Sequence, residues 1–539
     1  MAILLLFESV LLLSLAYIFV IRPIFFSPLS RIPSAHFTSH FLNGWIIWQR
    51  YLGRETKAIH DAHRRLGPIV RLGPRELSVN SADALRVIYS DRFDKDAFYH
   101  AFANYGVPNM FSMIERKPHA GRKRMFSNIY SKSALQSSQV IRDLSREIVI
   151  ERLLPIIETA AVQGGFLNVL EYNFAVYMDF ISAFIFGLQN SANFLLDSEA
   201  RERWLVKRKI AKGYGFWSMN FPLLTTFLTK LGINLEPPEV NCALDEIKQP
   251  CLEMLQKVEA SSEVRPKGSR KDQKDDIWTK PVVYDQLLSQ LNSSDDKTPP
   301  PPLPKSQLRL VVASELMDHI LAGTETSSWT LAYLMHELSQ RPDLQSSLQK
   351  EMLSLSPPIL YPSSILTQKS SLYPASELPS PRSIDSLPLL DAILLETLRL
   401  RPSVPGSQPR ITPPSEPRSP ISICGYNNIP AGIRVSAQAY SLHRNEEVFQ
   451  EPEMWRPERW LEVTQDERDE MMRWFWAFGS GGRMCIGNNL AVIELKIVVA
   501  AIYTNYTTKI IDDGDIEQLD AYSAGPKGDK LILQFKKVR

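Results

Sequence analysis

The decisive stretch of this sequence is Phe478-Gly479-Ser480-Gly481-Gly482-Arg483-Met484-Cys485-Ile486-Gly487, in which one cysteine lies among glycines, two residues after an arginine. Because glycines lack a side chain, neighbouring N–H groups can approach the sulfur closely and stabilise a thiolate. The apolar segment from Asn489 to Thr504 predicts a helix directly afterwards, and a helix N-terminus also favours negative charge. An inert cysteine buried in a glycine-rich turn is the alternative. We expect Cys485 to be a thiolate, the form of cysteine that binds metals.

The composition narrows the classes of function. The 539 residues are 44% hydrophobic and 22% charged, with a formal net charge of +2, as in an ordinary globular protein. There is no basic stripe with interleaved aromatic residues, so we expect no nucleic-acid partner. The four cysteines are too scattered for a disulfide scaffold, and no CxxC pair indicates zinc. They are Cys242, Cys251, Cys424 and Cys485.

The N-terminus reads as a membrane anchor. Residues Ala2 to Ile21 are almost wholly apolar apart from Glu8, and twenty helical residues span roughly 30 Å, the thickness of the bilayer core. A cleaved signal peptide is the alternative, but the apolar run is longer than its usual core and no A-x-A-like site precedes Arg22. We therefore predict a transmembrane helix over residues 1–21.

The residues after the anchor predict its orientation. Arg22 and Arg31 follow the span and nothing basic precedes it, which favours a cytosolic position for the rest of the chain. Prolines 23, 28 and 33 argue against a continuous helix, so residues 22–35 are predicted to form a stiff hinge. The catalytic body would then comprise residues 36–539.

The body shows mainly helical patterns with a few short strands. Two strands are predicted at Ile69 to Leu72 and Glu76 to Val79, on either side of a Gly-Pro turn. Residues 260–305 are rich in charge, serine and proline, and residues 354–386 are rich in serine, proline and leucine, so both are predicted to be surface loops. The second, unusually long for a compact domain, is either an insertion or a translated intron.

The cysteine motif resembles the haem-binding signature of the cytochrome P-450 superfamily, F-x-x-G-x-R-x-C-x-G. Phe478, Gly481, Arg483, Cys485 and Gly487 occupy its fixed positions. The resemblance implies that these residues bind haem b, iron protoporphyrin IX, with the cysteine sulfur as the proximal iron ligand. Electron donation from this ligand favours cleavage of the O–O bond. The arginine would pair with a haem carboxylate.

A second motif is Glu396-Thr397-Leu398-Arg399, in a predicted helix from Leu389 to Leu400. On its own an E-x-x-R pair usually forms a solvated surface bridge. Pro457-Glu458-Arg459-Trp460 follows downstream, with Trp where the family has Phe, so the region resembles the family's K helix. The resemblance implies a buried ion network of Glu396, Arg399 and Arg459, with a structural role in supporting the cysteine loop.

A third motif, Ala322-Gly323-Thr324-Glu325-Thr326-Ser327, lies in a long apolar helix predicted from Leu308 to Gln340. A glycine inside a helix costs about 1 kcal/mol relative to alanine, so a function should compensate. The segment resembles the family's I helix, which implies that Glu325 is an acid and Thr326 a hydroxyl of a proton relay to dioxygen. The alternative is a kink with local threonine-to-backbone hydrogen bonds.

The haem carboxylates need cations, and the family places some of them in its C helix. In His119-Ala120-Gly121-Arg122-Lys123-Arg124, His119 fits that pattern, whereas Lys123 replaces an arginine. A lysine acts as a point charge and cannot pair bidentately, and Arg124 is a substitute. Arg410 is a further candidate. For each of them a solvated surface charge is the alternative.

The resemblance covers about residues 30 to 539. It implies a single large fold, mainly α with a small β region, preceded by one transmembrane helix and similar to microsomal fungal enzymes of secondary metabolism. The predicted cavity walls are Phe98 to Ser112, Met317 to Ala322, Val404 to Ser407 and Ala521 to Pro526.

The function implied by the resemblance is insertion of one oxygen atom from O2 into an apolar small molecule at the endoplasmic reticulum membrane, on its cytosolic side. Electrons would come from NADPH through a separate reductase flavoprotein, because the chain lacks a G-x-G-x-x-G dinucleotide motif. A haem-thiolate isomerase or dehydratase and a non-catalytic haem-binding protein are the alternatives. The Glu325-Thr326 pair argues against both.

Overall fold

Helices dominate the part of the chain that the computed structural model describes, which comprises residues 2–90, 93–212, 215–264, 278–292, 304–361, 378–414 and 421–538. The α-helices are α1 Ala2–Ala16, α2 Gly44–Tyr51, α3 Glu55–Leu66, α4 Ala82–Tyr89, α5 Arg116–Phe126, α6 Lys132–Ser137, α7 Gln139–Ser145, α8 Leu154–Gln163, α9 Val169–Phe186, α10 Ser198–Ala211, α11 Phe216–Asn220, α12 Pro222–Lys230, α13 Pro238–Val264, α14 Val282–Asn292, α15 Lys305–Ser339, α16 Pro342–Leu353, α17 Pro381–Asp385, α18 Pro388–Leu400, α19 Ala439–Leu442, α20 Gln465–Trp474 and α21 Asn488–Asn505. Turns of 3-10 type occupy Phe37–His40, Ala97–Phe102, Leu188–Asn190, Pro457–Trp460 and Gly481–Arg483, and π-helical turns occupy Tyr17–Phe26 and Arg146–Leu153.

The strands form two small sheets. They are β1 Ile69–Gly73, β2 Glu76–Val79, β3 Asp94–Lys95, β4 Phe166–Asn168, β5 Arg410–Ile411, β6 Arg434–Ser436, β7 Tyr506–Asp512 and β8 Ile532–Lys537. One sheet has the order β1-β2-β6-β5-β3 and the other β4-β8-β7. The predicted strand pair is confirmed, since β1 runs antiparallel to β2 with Ile69 opposite Val79. The predicted fold class, mainly α with a small β region, is confirmed as well.

The core is built around α9 and α15. α9 is apolar on nearly all sides and has the length and composition of a membrane span. Because 89% of its residues are buried inside the protein, it is a core helix. α15 runs through the same core, with Leu316, Leu331 and Leu338 fully buried. The sequence predicted α15 to within three residues at its start and one at its end. These two helices therefore provide the rigid frame of the body.

The N-terminal helix extends further than predicted. α1 continues into the π-helical turns Tyr17–Phe26, which pass through Pro23, so a hinge that begins at residue 22 is wrong for its first five residues. Leu4–Phe26 is long and apolar enough to cross a membrane, and none of its residues is buried inside the described chain. It is a candidate transmembrane span.

The first predicted surface loop contains regular structure. α13 extends to Val264, and α14 lies within residues 260–305 with Val283 and Leu287 buried in the core. The loop prediction is wrong there, because these two apolar residues, one turn apart, carry more weight than the surrounding composition. Residues 265–277 and 293–303, and residues 362–377 of the second predicted loop, lie outside the described residues. The short helix α17 lies within the described end of that second loop.

Candidate active site

The cysteine loop is a tight turn that only glycine can form at one position. The N–H of Cys485 donates to the carbonyl of Phe478 at 2.9 Å and closes the loop. Gly481 has a φ of +66°, and a Cβ there would lie 2.1 Å from the carbonyl oxygen of Tyr89 at the end of α4. Any side chain at Gly481 would therefore displace the loop from α4. α21 begins at Asn488, three residues after the cysteine.

The side chain of Cys485 is accessible although it lies deep within the protein, so it borders an internal space. Burial is the largest influence on its pKa. Burial raises the pKa of the thiol, whereas N–H groups of Gly487 and Asn488 and the charge of Lys123 lower it. These are the donors expected around a thiolate.

Positive charge is concentrated around this cavity. His119 is buried, and its pKa falls to about 3, first through burial and then through four surrounding basic groups. Those groups are Arg483, Lys95, Lys123 and Arg410. A cluster of this kind is costly unless an anion joins it. Its chemistry fits the carboxylates of a haem, so the residues present fit the group that the sequence predicts.

Lys95 is a cation that sequence reasoning missed. It lies in β3 directly opposite Arg410 in β5, and like charges opposite each other destabilise an antiparallel pair. Its Nζ donates to the carbonyl of Phe111 and sits 4.4 Å from the ring centroids of Tyr99 and Phe111. Burial and the neighbouring arginines lower its pKa. A single lysine between two aspartates belongs to no recognisable motif. Its place in the cation cluster follows from the pairing of β3 with β5.

The predicted carboxylate partners occupy different environments. His119 and Arg410 are buried, so the surface-charge alternative is wrong for both. Arg410 Nη1 donates to the Tyr99 hydroxyl at 3.0 Å. Lys123 Nζ donates to the carbonyls of Gly482 and Met484, at 3.0 and 2.7 Å, and so fastens the cysteine loop to α5.

Arg483 and Arg124 differ in their contacts with this region. Arg483 donates through Nη1 and Nη2 to the carbonyls of residues 113–114, at 2.9 and 2.6 Å, and so ties the cysteine loop to the segment before α5. Arg124, considered as a substitute for Lys123, is exposed.

One face of α15 lines an internal space. Asp318, Ala322 and Thr326 are accessible although this part of the helix is otherwise largely buried, and their spacing of four residues places them on one face. The Thr326 hydroxyl donates to the carbonyl of Ala322 at 2.7 Å. This is the local threonine-to-backbone hydrogen bond that was the alternative to a proton relay. Of the predicted wall from Met317 to Ala322, Met317 itself is buried in the core.

Glu325 is paired with another helix. Its carboxylate accepts from Nε of Arg208 in α10 at 2.8 Å, and the Arg208 guanidinium lies 4.2 Å from the ring centroid of Phe174. Arg208 also reaches Asp529 at 3.5 Å. The structure therefore holds the predicted acid by an ion pair between α15, α10 and the C-terminal segment.

The E-x-x-R pair and the downstream arginine meet in a fully buried cluster. Arg399 binds both oxygens of Glu396, at 2.9 and 2.8 Å, and Arg459 Nε donates to the same carboxylate at 2.9 Å. The indole of Trp460 adds a further donor at 2.9 Å. Although burial raises the pKa of Glu396, the two arginines lower it overall.

His443, which sequence reasoning missed, links this cluster to the cysteine loop. Its Nδ1 bonds the carbonyl of Arg399 at 2.8 Å, and its Nε2 accepts from the N–H of Trp476 at 2.7 Å. Trp476 in turn accepts from the N–H of Gly479 in the loop. Burial lowers the pKa of His443 to about 3, so it is neutral.

An aromatic wall brings three of the predicted cavity segments together. The ring centroids of Phe102 and Phe111 are 5.0 Å apart, and those of Phe98 and Tyr522 are also 5.0 Å apart. The N–H of Gly406 donates to the Tyr522 carbonyl at 3.3 Å. Residues 98–112, 404–407 and 521–526 thus meet as neighbours.

Comparison with known proteins places the chain in a family. The family model for Cytochrome P-450 matches residues 35–533. The chain is 26% identical to Cytochrome P-450 monooxygenase FGM1 of Gibberella zeae, over 90% of this chain and 88% of that protein. It is 27% identical to Cytochrome P-450 monooxygenase avaI of Aspergillus versicolor, over 81% and 94% respectively. It is 26% identical to Tryprostatin B 6-hydroxylase of Aspergillus fumigatus, over 92% and 78%.

Proposed function

The chain belongs to the cytochrome P-450 family and is a haem-iron monooxygenase that incorporates oxygen. We propose that it oxidises an apolar small molecule of fungal secondary metabolism while anchored in the endoplasmic reticulum membrane. The observation that carries this proposal is Cys485, whose sulfur receives two backbone N–H groups and borders an internal space surrounded by cations. The relatives, several of them monooxygenases of Gibberella and Aspergillus, support the metabolic setting.

The cofactor we propose is haem b. When bound, it supplies an iron centre for dioxygen activation, and a thiolate ligand favours O–O cleavage. Cys485 would bind the iron, with Phe478 and Gly487 shaping its loop. His119, Lys95, Arg410 and Arg483 would hold the carboxylates, and Lys123 would hold the loop that carries the cysteine.

Proton delivery is proposed for the accessible face of α15. Thr326 Oγ1 donates to the carbonyl of Ala322, which leaves its lone pairs for a water molecule in the cavity. Glu325 is held by Arg208, so a proton passes from its carboxyl toward Thr326 only when that ion pair opens. An isomerase or a non-catalytic haem protein would need neither group, which disfavours both alternatives.

The electron donor we propose is an NADPH-dependent reductase flavoprotein. α5 presents Arg116, Lys117 and Arg124 to solvent, and the same helix contacts the cysteine loop through Lys123. Exposed basic residues here would attract an acidic flavoprotein surface to the shortest route toward Cys485.

Membrane attachment is supported by exposed apolar surface beyond the anchor. Trp48 and Tyr51 of α2 and Leu223 and Phe227 of α12 are exposed. Tyr51 contacts Phe216 of α11, with ring centroids 5.5 Å apart, which connects the two exposed regions through α11. This surface and the span Leu4–Phe26 would lie against the bilayer, with the body on the cytosolic side.

The test is the spectrum of the reduced, carbon monoxide-bound protein. Wild type should show the strong red shift of a thiolate-ligated haem, and Cys485→Ala should abolish it. The matched control is Cys424→Ala, which removes a cysteine from the surface loop before β6 and should keep the shift. A wild-type protein without the shift would overturn the proposal.

A further inference from the structure

Ser403 is a buried residue outside α15 that forms a hydrogen bond to this helix at Thr326. It lies three residues after the end of α18, in the loop that leads into the cavity segment 404–407. Its Oγ donates to the carbonyl oxygen of Thr326 at 2.8 Å. This bond joins the residue proposed for proton delivery to a loop beside the cavity.

The Thr326 carbonyl has more donors around it than lone pairs. The Thr330 hydroxyl donates to the same oxygen at 2.8 Å, and in an α-helix the N–H of Thr330 is its regular partner as well. A carbonyl oxygen has two lone pairs, so three donors compete for two positions. Competition from side-chain hydroxyls weakens the regular helix bond and lets a helix bend. The local position of Thr326 therefore depends on Ser403 as well as on the helix.

The two hydroxyls also contact each other, since Ser403 Oγ and Thr330 Oγ1 are 3.0 Å apart. Three short contacts thus connect the two hydroxyls and the carbonyl, but only two hydrogens are available to them. Without the Ser403 hydroxyl, the Thr330 hydroxyl can still donate to the Thr326 carbonyl, so neither group is left unsatisfied. Loss of the Ser403 hydroxyl should therefore change where Thr326 sits more than it changes the stability of the fold.

The loop that carries Ser403 is also fixed to the C-terminal cavity segment. The N–H of Ala524 donates to the Ser403 carbonyl at 3.0 Å, and the Gln518 amide donates to the Ala524 carbonyl at 3.0 Å. A Cβ on Gly525 would lie 2.4 Å from Nε1 of Trp329, so this segment packs directly against α15. Ser403 therefore lies where the loop, the C-terminal segment and α15 meet.

We propose that Ser403 is a positioning residue for proton delivery. Its hydroxyl fixes the Thr326 carbonyl relative to the cavity segments and so determines where the Thr326 side chain holds its water molecule. It acts through Thr326 and not on the reacting atoms. This inference rests on the proposed function, because it takes Thr326 as the group that holds water in the cavity.

The test is the infrared C–O stretch of carbon monoxide bound to the reduced, haem-loaded, full-length protein. A hydrogen bond to the oxygen of carbon monoxide lowers its stretching frequency, and a water molecule held by Thr326 supplies such a bond. Thr326→Ala should therefore move the band to higher frequency, and it serves as the reference. Ser403→Ala should broaden the band and move it part of the way, because Thr326 keeps its hydroxyl but loses its fixed position.

A matched pair of variants separates the hydroxyl from the volume of the side chain. Threonine and valine are both branched at Cβ, and valine has a methyl group in place of the hydroxyl. Ser403→Thr should keep the wild-type band, whereas Ser403→Val should shift it as Ser403→Ala does. The pair also provides the test if Ser403→Ala does not accumulate. Equal bands in the two variants would overturn the inference.

The control is Ser339→Ala, at a buried serine near the end of α15. The Ser339 hydroxyl donates to the Met335 carbonyl at 2.6 Å and lies 2.7 Å from Oγ1 of Thr508, an arrangement similar to that of Ser403. Because it is thirteen residues beyond Thr326, the variant should keep the wild-type band. A shift as large as that of Ser403→Ala would show a general effect of loosening α15 and would overturn the inference.

The visible spectrum of the same samples keeps the two proposals distinguishable. A thiolate-type spectrum in every sample, with an infrared band that does not respond to Ser403→Val, overturns the positioning role and leaves the proposed function intact. An infrared band that responds to Ser403→Val but not to Ser403→Thr, in a protein that lacks the thiolate-type spectrum, supports the positioning role and overturns the proposed function.

Discussion

Two buried charge clusters in this protein differ in how completely they are paired. Around Glu396 every hydrogen-bonding partner is internal, since Arg399, Arg459 and Trp460 all donate to one carboxylate. Around His119 the charges are mainly of one sign, and Lys95 even lies opposite Arg410 across two strands. The first cluster is complete without a ligand, whereas the second is complete only when an anion is bound.

Internal pairing therefore distinguishes charges that stabilise the fold from charges that bind a ligand in a buried region. A carboxylate that accepts hydrogen bonds from two arginines and an indole stabilises the fold around it and needs no donor from a ligand. The cations around His119 have few matching acids, so their mutual repulsion favours unfolding until an anionic ligand binds. Binding of that ligand then adds to the stability of the folded state. Substitutions at Glu396 and Lys95 test the two clusters separately, and a substitution at Glu494 tests a buried carboxyl that belongs to neither.

Glu396→Ala should have the largest effect. It leaves Arg399 and Arg459 buried without an acid, and breaking a buried pair in this way costs about 3–5 kcal/mol. The free energy of unfolding in urea, measured on haem-loaded protein, should fall by that amount or the protein should fail to accumulate. The control is Glu462→Ala, at an exposed position just after the 3-10 turn that carries Arg459, and it should change the free energy of unfolding little. A loss below about 1 kcal/mol would show that the cluster is not structural.

Glu494→Gln should change how stability depends on pH. Glu494 in α21 is buried, and among the described residues its Oε1 has no hydrogen-bond partner. Burial raises its pKa to about 8, so the folded state holds a proton that the unfolded state loses near pH 4.5. This contribution to stability is fully present below pH 4.5 and is lost as pH rises to about 8.

The expected slope is about 1.4 kcal/mol per pH unit between those limits, and Glu494→Gln should remove it. The measurement is the urea unfolding free energy of both proteins at several pH values. The difference between the two curves isolates this one carboxyl from all other titrating groups. Parallel curves would mean that Glu494 is ionised in the folded protein and has a partner.

Lys95→Met should have a smaller effect, and it should act on haem retention. Loss of a charge-assisted hydrogen bond to a haem carboxylate should speed haem transfer to excess apomyoglobin by about tenfold. Lys509→Met, an exposed lysine in β7, should leave the transfer rate unchanged. If Lys95→Met also leaves the rate unchanged, Lys95 is not part of the carboxylate site.

Local motifs account for most of what the sequence predicted correctly. The turn around Cys485 and the helix that carries Glu396 and Arg399 depend on residues close together in the chain, so their geometry follows from spacing. The strand pair β1–β2 could also be predicted from the sequence, because a Gly-Pro turn separates two short apolar segments. The long helix α15 was predicted almost to its ends from its apolar length.

Distant pairings that belong to no sequence motif were not predictable, unlike the contact of Arg459 with Glu396, which the family resemblance implied. The position of Lys95 opposite Arg410 exists only because β3 and β5 meet, although more than three hundred residues separate them. The ion pair of Glu325 with Arg208 likewise depends on how α10 packs over α15. In both cases a single charged residue in sequence carries no signal of its partner.

Iron-edge X-ray absorption of the haem-loaded protein reports directly on whether the Cys485 sulfur binds the haem iron. One sulfur scatterer in the first coordination sphere of wild type, lost in Cys485→His, is the predicted result. A first sphere of nitrogen and oxygen alone in wild type would contradict this ligation, as would a sulfur ligand that persists in Cys485→His.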